Sequence, residues 1–160
     1  MTEDPLLKRL ATLIALLTLM AVPQASAAGF IKSLATAQKQ AKENNRLIFV
    51  DLFAEWCGWC HRFEREVVPS EAFQKVTENM VLLRLDTEDG GEGTKFAQQY
   101  RITTLPYFLV LNPDLSVAAT IKGYAPAKQF AEMVTSTLAK NTEFKKLVAT
   151  ESTLDRKSVV

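Results

Sequence analysis

The sequence has few cysteines, no excess of charge of either sign and no apolar run long enough to cross a bilayer. Its 160 residues include two cysteines and one histidine, and 19 basic residues balance 18 acidic ones. Because nucleic-acid-binding surfaces are strongly basic, this balance gives no support to a nucleic-acid partner. The apolar run at residues 10–22 is shorter than the roughly 20 residues that a membrane-spanning helix needs.

The first 27 residues have the layout of a secretory signal peptide. Lys8 and Arg9 precede the apolar run of residues 10–22, and residues 25–27 form an A-x-A cleavage pattern. We therefore expect export to the periplasm and cleavage of residues 1–27. A buried core helix or an uncleaved membrane anchor are the alternatives. Export places both cysteines in an oxidising compartment.

The two cysteines, Cys57 and Cys60, lie very close together in the chain. A disulfide between them closes a small loop, so it removes little conformational entropy from the unfolded chain. A structural disulfide is the usual expectation for a secreted protein, but this one stabilises little. The spacing therefore favours a disulfide that is present for its chemistry.

Hydrophobic periodicity predicts one α/β domain over residues 28–140, followed by a tail at residues 141–160. The predicted elements are helix 30–44, strand 46–54, helix 57–68, a second helix that begins at Ser70, strand 81–85, a short helix around 96–100, strands 107–111 and 117–122, and a helix that begins at Pro126. Such an order implies a central mixed sheet flanked by helices and ending in an antiparallel hairpin. We expect the last helix to extend to about residue 148 and then fray.

The cysteines follow a buried strand directly and stand where a helix begins. Reaction sites on sheets of this kind lie at the carboxyl ends of the strands. Free N–H groups and the helix dipole at a helix N-terminus favour a thiolate at Cys57, and Cys60 lies one turn later on the same face. We expect the Cys57 thiolate to attack a substrate disulfide and Cys60 to resolve the mixed disulfide. No cofactor is expected beyond this redox-active disulfide.

Two segments resemble the thioredoxin superfamily. Residues 51–60 (DLFAEWCGWC) are similar to its active-site strand and motif, and residues 104–106 (TLP) are similar to its proline loop. The break at residues 69–71 and the strand at 79–86 are most similar to periplasmic members that resemble the C-terminal domain of the thiol:disulfide interchange protein. The resemblance implies a thioredoxin fold and thiol–disulfide oxidoreductase activity on disulfides or thiols of exported proteins. Since an exported reductant needs electrons from across the membrane, we expect a membrane thiol carrier as the donor.

The resemblance also implies roles for residues outside the cysteine motif. Pro106 is expected in the cis form, with the Leu105 backbone offered to an extended substrate; an ordinary turn proline is the alternative. Asp51 is expected beneath Cys60, where it relays a proton, rather than near solvent at the end of its strand. Arg84 occupies the place of a lysine that often partners this aspartate, unless it is a surface residue.

A substrate-binding surface is expected around the motif. It includes Trp56, Gly58 and Trp59, together with Gly123 after the last strand. The two indoles are expected to form a partly exposed apolar rim, although core packing is an alternative for Trp56. Because Trp59 stands where thioredoxins usually have proline, the strongly reducing potential of thioredoxin does not carry over.

Residues 57–61 (CGWCH) also spell the attachment motif of c-type haem. In that alternative His61 is one axial ligand and Met80 or Met133 is the other. The position of the motif after a buried strand in an α/β pattern favours the oxidoreductase. We then expect His61 on the helix surface, where it modulates the thiolate.

Three further alternatives remain at this point. Two thiols and one imidazole are too few for a closed zinc site, so no stable metal is expected. A non-catalytic binding module could use the same fold as an interaction surface. Within the oxidoreductase class, the sequence does not fix the direction of exchange, so reduction or interchange is the prediction and oxidation or isomerisation is the alternative.

Overall fold

The structure, a computed structural model, describes residues 29–155, and it describes side chains as far as residue 142. The predicted signal peptide lies outside this range. The elements in chain order are α1 (Leu34–Asn44), β1 (Leu47–Phe53), α2 (Gly58–Glu66), α3 (Glu71–Thr77), β2 (Met80–Asp86), α4 (Glu92–Gln99), β3 (Tyr107–Leu111), β4 (Val117–Lys122) and α5 (Ala127–Asp155). The predicted order of helices and strands is confirmed.

The four strands form one mixed sheet in the order β2-β1-β3-β4. The first two strands are parallel, whereas β3 is antiparallel to both β1 and β4. Each strand of the central pair is covered on both faces, which explains why their sequences are almost continuously apolar. The predicted fold class, a central mixed sheet flanked by helices, is confirmed.

Two hydrophobic cores lie on opposite faces of the sheet. Because side chains alternate along a strand, Phe49 of β1 faces α2, α3 and α5, whereas Ile48 and Val50 face α1 and α4. Five phenylalanines fill the first core: Phe49, Phe63, Phe73, Phe108 and Phe130. The ring of Phe63 in α2 lies 4.5 Å from that of Phe108 and 4.9 Å from that of Phe130. This packing anchors the helix that carries the second cysteine.

The first helix begins later than its periodicity indicates. It was predicted over residues 30–44, but it starts at Leu34. The N–H of Ile31 donates to the carbonyl of Leu82 (2.8 Å), and its carbonyl accepts from the N–H of Arg84 (2.9 Å). These bonds satisfy backbone groups at the open edge of β2, so the segment before Leu34 stays extended rather than helical.

The last helix extends further than predicted. It continues through residue 140 without a break and ends at Asp155, beyond the expected end near residue 148. The side-chain amide of Asn141 donates to the carbonyl of Ala118 in β4, so the first residue of the predicted tail contacts the sheet. The boundary between a domain at 28–140 and a separate tail stays a prediction.

Gly93 in α4 is required by a close backbone contact. A Cβ atom at this position would lie 1.9 Å from the carbonyl oxygen of Asp86. We expect Gly93→Ala to destabilise the protein by about 1–3 kcal/mol, the usual cost of overpacking, in a urea unfolding experiment. Gly58→Ala is the matched control, because Gly58 also opens a helix and nothing lies within 4 Å of its Cβ position. Equal stability of Gly93→Ala and the wild type would contradict this assignment.

Candidate active site

Cys57 caps the N-terminus of α2. Its backbone is extended (φ −78°, ψ 91°), and its Sγ accepts a hydrogen bond from the N–H of Cys60 at 3.2 Å. Its own N–H donates to the carbonyl of Ala54 (2.9 Å), which closes the turn between β1 and the helix. The sulfur therefore lies at the positive end of the helix dipole with a donor directed at it, as predicted for a thiolate.

The sulfurs of Cys57 and Cys60 are joined in a disulfide, with the two Cα atoms 5.2 Å apart. Cys57 is 4% exposed and Cys60 is 1% exposed. Both residues are thus buried and differ in position, because Cys57 caps α2 whereas Cys60 lies inside its first turn. This difference suits an attacking role for Cys57 and a resolving role for Cys60.

Asp51 is the buried acid of the site. It lies on the face of β1 that α2 covers, two residues from Phe49, and it is fully buried. Neither of its carboxylate oxygens has a hydrogen-bond partner among the described residues. Burial raises the pKa of Asp51 to about 7, although Arg84 lowers it and Glu64 raises it further. The carboxyl can therefore take up or release a proton near neutral pH.

Arg84 lies beside Asp51 rather than free on the surface. The two residues are opposite each other in the parallel register of β1 and β2, and Arg84 Nε is 3.5 Å from Asp51 Oδ2. A closer partner is Glu64 of α2, whose Oε1 is 2.6 Å from Arg84 Nη1. The guanidinium also covers the ring of Phe53 at 4.2 Å. Because the guanidinium of Arg84 lies closer to Glu64, its positive charge compensates the negative charge of an ionised Asp51 only weakly.

Glu64 is a site residue that the sequence reasoning missed. A signal was available, because Glu64 lies four residues after Cys60 and so on the same face of the helix. What could not be read from the chain is the cross-strand position of Arg84, which draws the glutamate towards the buried acid.

The loop before β3 has the expected cis peptide bond, between Leu105 and Pro106. The N–H of Gly123 donates to the carbonyl of Pro106 at 2.9 Å, and Gly123 has a φ of +79°, which favours glycine. Leu105 and Trp56 line the same cavity, of about 480 Å³. The residues before Pro106 and before Cys57 therefore line one cavity, and the end of β4 is hydrogen-bonded to the proline loop.

Both tryptophans of the motif are exposed. Trp56 is 68% exposed and donates from Nε1 to Glu88 (2.8 Å), so core packing is wrong for this residue. Trp59 is 55% exposed, and its ring lies 5.3 Å from that of Tyr124. Gly58 between them leaves open space at its Cβ position. The predicted apolar rim is present beside the disulfide.

His61 lies on the helix surface. Its Nε2 is 2.7 Å from the carbonyl oxygen of Glu55, and its Nδ1 is 4.0 Å from Glu64. Met80 pairs with Leu47 at the start of β1, whereas the cysteines follow the end of that strand. A strand of this length spans about 20 Å, so Met80 as a haem ligand together with His61 is wrong.

Among the described residues, no three Cys, His, Asp or Glu side chains gather closely enough to hold a metal ion. None of the helices described is long and apolar enough to span a bilayer.

This chain belongs to the thioredoxin-like family. A family model described as a thioredoxin-like domain matches residues 34–137, which include the whole sheet, both cysteines and the proline loop. The predicted resemblance is confirmed. The predicted enzyme class, a thioredoxin-like thiol–disulfide oxidoreductase, is confirmed at the level of the family.

Individual relatives agree with this membership. The chain is 32% identical over 114 residues to the thiol:disulfide interchange protein DsbD of Colwellia psychrerythraea, covering 66% of this chain and 19% of that protein. The chain thus spans about a fifth of the length of the curated relatives it matches.

Solved structures share the fold. A thioredoxin from Thermus thermophilus aligns with a TM-score of 0.62 and 19% identity, covering 71% of this chain and 90% of that one. The oxidised DsbD C-terminal domain of Neisseria meningitidis aligns with a TM-score of 0.57 and 17% identity, covering 68% and 99%.

Proposed function

We propose that this protein is a periplasmic thiol–disulfide oxidoreductase that reduces or interchanges disulfides of exported proteins. The observation that carries the proposal is the placement of Cys57 at the N-terminus of α2, bonded to Cys60 one turn later. Similarity to the Colwellia relative, a thiol:disulfide interchange protein, supports the same chemistry. The signal-peptide pattern of residues 1–27 supports the location.

In the reducing direction the cycle starts from the dithiol. The Cys57 thiolate attacks one sulfur of the substrate disulfide, forms a mixed disulfide and releases the other substrate sulfur as a thiolate. The Cys60 sulfur then attacks Cys57 Sγ, which releases the second substrate thiol and leaves the Cys57–Cys60 disulfide. Two electrons have passed from the protein to the substrate. The reverse sequence oxidises a substrate dithiol.

Asp51 serves as the proton relay for Cys60. A buried thiol must lose its proton before it can attack Cys57, and Asp51 is a buried carboxyl on the face of β1 that α2 covers. Its pKa of about 7 allows the carboxyl to take up that proton at neutral pH and return it in the next cycle. Arg84 and His61 act as modulators, the first through charge beside Asp51 and the second from the helix surface.

The substrate lies as an extended segment over the motif. The Leu105 backbone next to cis-Pro106 pairs with it, as in strand addition, and Gly58 and Gly123 leave room for its main chain. Trp56 and Trp59 provide apolar contact on either side of Cys57.

The disulfide must be reduced again after each cycle. A dithiol delivered by a membrane thiol carrier is the expected electron donor, since a periplasmic reductant receives its electrons from across the membrane. The proposed cycle needs no bound cofactor, because the two electrons reside in the Cys57–Cys60 pair.

The direction of exchange is tested by the redox potential of the Cys57–Cys60 couple. We expect a value well below the roughly −120 mV of a strongly oxidising periplasmic protein. Equilibration with glutathione buffers, followed by quantification of the alkylated dithiol, measures it. A value near −120 mV would show that the protein oxidises its substrates and would overturn the proposed direction.

A further inference from the structure

Two aromatic rings, Trp59 and Tyr124, form a wall beside the disulfide. Trp59 lies between the cysteines, and Tyr124 lies in the segment between β4 and α5. Their ring centroids are 5.3 Å apart with an interplanar angle of 31°. Three large hydrophobic side chains of the described region are exposed, namely Trp56, Trp59 and Val117, and two of them flank Cys57. Exposed apolar surface concentrated at a reactive group indicates contact with a partner.

Arg62 and Glu66 brace this aromatic wall from one side. The guanidinium of Arg62 lies 5.4 Å from the ring centroid of Trp59 and 5.0 Å from that of Tyr124. Glu66 accepts from Arg62 Nε through Oε1 (2.9 Å) and from the hydroxyl of Tyr124 through Oε2 (2.5 Å). One carboxylate therefore joins α2 to the segment after β4 and fixes both rings relative to each other.

The wall continues the predicted substrate surface. Tyr124 directly follows Gly123, whose N–H is bonded to Pro106. The aromatic wall therefore extends from the cysteine motif towards the cis-proline loop, along the path of an extended substrate.

We propose that the aromatic wall of Trp59 and Tyr124 is a specificity determinant that binds an apolar or aromatic side chain next to the reacting cysteine of a substrate, and that Glu66 is its positioning residue. This proposal rests on the proposed function. It names the class of substrate segment that the same site prefers.

The paired charges of Arg62 and Glu66 explain why we propose an apolar substrate side chain at the aromatic wall. Arg62 and Glu66 are paired with each other, so they leave little unbalanced charge for a charged substrate residue. The hydrogen bonds from Tyr124 and Arg62 hold the pKa of Glu66 below its usual value, so the Glu66 carboxylate stays charged at neutral pH. What the wall offers to a substrate is the exposed part of two rings, which favours aromatic and aliphatic partners.

A pair of fluorogenic peptide disulfides tests this proposal. The peptides are identical except for the residue next to the reacting cysteine, which is Phe in one and Ser in the other. Stopped-flow mixing with the reduced protein gives a second-order rate constant for each. We expect the wild type to prefer the Phe peptide by about threefold to tenfold, the size of one aromatic contact.

Variants of Tyr124 and Glu66 test whether Glu66 positions the aromatic wall for the substrate. In Glu66→Ala and Tyr124→Ala we expect the ratio of the two rate constants, Phe peptide over Ser peptide, to fall towards one. Glu66→Gln keeps one acceptor oxygen for Arg62 and places an NH2 group that can donate to the hydroxyl oxygen of Tyr124, so it is expected to restore part of the preference. Arg65→Gln is the matched control, because Arg65 is an exposed cation on the same helix whereas the cation–ring contacts described at the wall come from Arg62, and it should keep the wild-type preference.

The outcomes distinguish the two proposals. If the wild type reacts with hydroxyethyl disulfide but treats the two peptides equally, the specificity proposal is wrong and the proposed function stands. An undiminished preference in both Glu66→Ala and Tyr124→Ala would also overturn it. If the wild type reacts with none of the three disulfides, the proposed function fails, and the specificity proposal fails with it.

Discussion

Cys57→Ser is expected to lower the rate of insulin-disulfide reduction by roughly 10³-fold or more, the scale typical of removing a catalytic nucleophile. The reason is chemical, because a serine hydroxyl at the cap of α2 keeps the hydrogen bond from Cys60 but cannot attack a disulfide. The aggregation of reduced insulin, followed by turbidity with dithiothreitol as the electron source, measures the rate above the uncatalysed background.

Cys60→Ser is the informative companion to this variant. It keeps the attacking sulfur and removes only the resolving one, so a mixed disulfide with the substrate should accumulate and be visible on a non-reducing gel. A catalytic rate in Cys57→Ser equal to that of the wild type would contradict the assignment of Cys57 as the nucleophile. Accumulation of the same adduct in Cys57→Ser would contradict the assignment of the two roles.

Asp51→Asn is expected to stabilise the oxidised protein above neutral pH. In the folded protein burial raises the pKa of Asp51 to about 7, whereas in the unfolded chain it lies near 3.8. The folded state therefore holds a proton that the unfolded state has lost between these two values. Wild-type stability falls as the pH rises from about 4 to about 7 and then levels off.

The size of the stability difference follows from the pKa shift of Asp51. At 1.36 kcal/mol for each pKa unit, the difference between about 7 and 3.8 corresponds to roughly 4 kcal/mol at pH 8 and to about half a kcal/mol at pH 4. Urea unfolding of wild type and Asp51→Asn across this range measures it, with Asp86→Asn at the partly exposed end of β2 as the control. A stability difference that does not change with pH would contradict the raised pKa.

The same variant tests the proton relay. An amide cannot accept the proton of Cys60, so Asp51→Asn should slow substrate reduction and remove the pH dependence of the rate near neutral pH. If the rate of substrate reduction is unchanged across neutral pH, the relay proposal is wrong, even where the stability result holds.

The sheet and the position of the cysteines could be predicted because the signals are local. The strand at residues 47–53 is an apolar run with one charge, and the cysteines follow it directly. Alternation along this strand then places Asp51 on the same face as Phe49. The strand order could be predicted only in outline, because pairing depends on residues far apart in the chain.

The features that were mispredicted depend on tertiary contacts. Residues 30–33 have helical periodicity, but hydrogen bonds to the edge of β2 keep Ile31 extended. The late end of α5 at Asp155 has no signal in the weak periodicity of the tail. The helical periodicity of residues 30–33 does not decide their conformation, because the open edge of β2 offers hydrogen-bond partners to their backbone that the end of a short helix lacks.

The sequence analysis named the two cysteines, Asp51 and Arg84, and it did not name Glu64 or Tyr124. The motif spacing identifies Cys57 and Cys60, but Glu64 enters the site only through Arg84 on another strand. Likewise, Tyr124 contacts Trp59 only because β4 ends beside α2. Such pairs are brought together by the fold, so the spacing along α2 can place Glu64 on the face of Cys60 but cannot identify Arg84 as its partner.

The central claim is that the two sulfurs differ in reactivity, because Cys57 lies at the positive end of α2 and Cys60 lies inside the helix. Limited alkylation of the reduced, folded protein with iodoacetamide, followed by peptide mass mapping, tests this directly. We expect modification at Cys57 well before Cys60, in keeping with their positions at the cap and one turn inside α2. Equal inertness of both thiols, or preferential modification of Cys60, would contradict the mechanism.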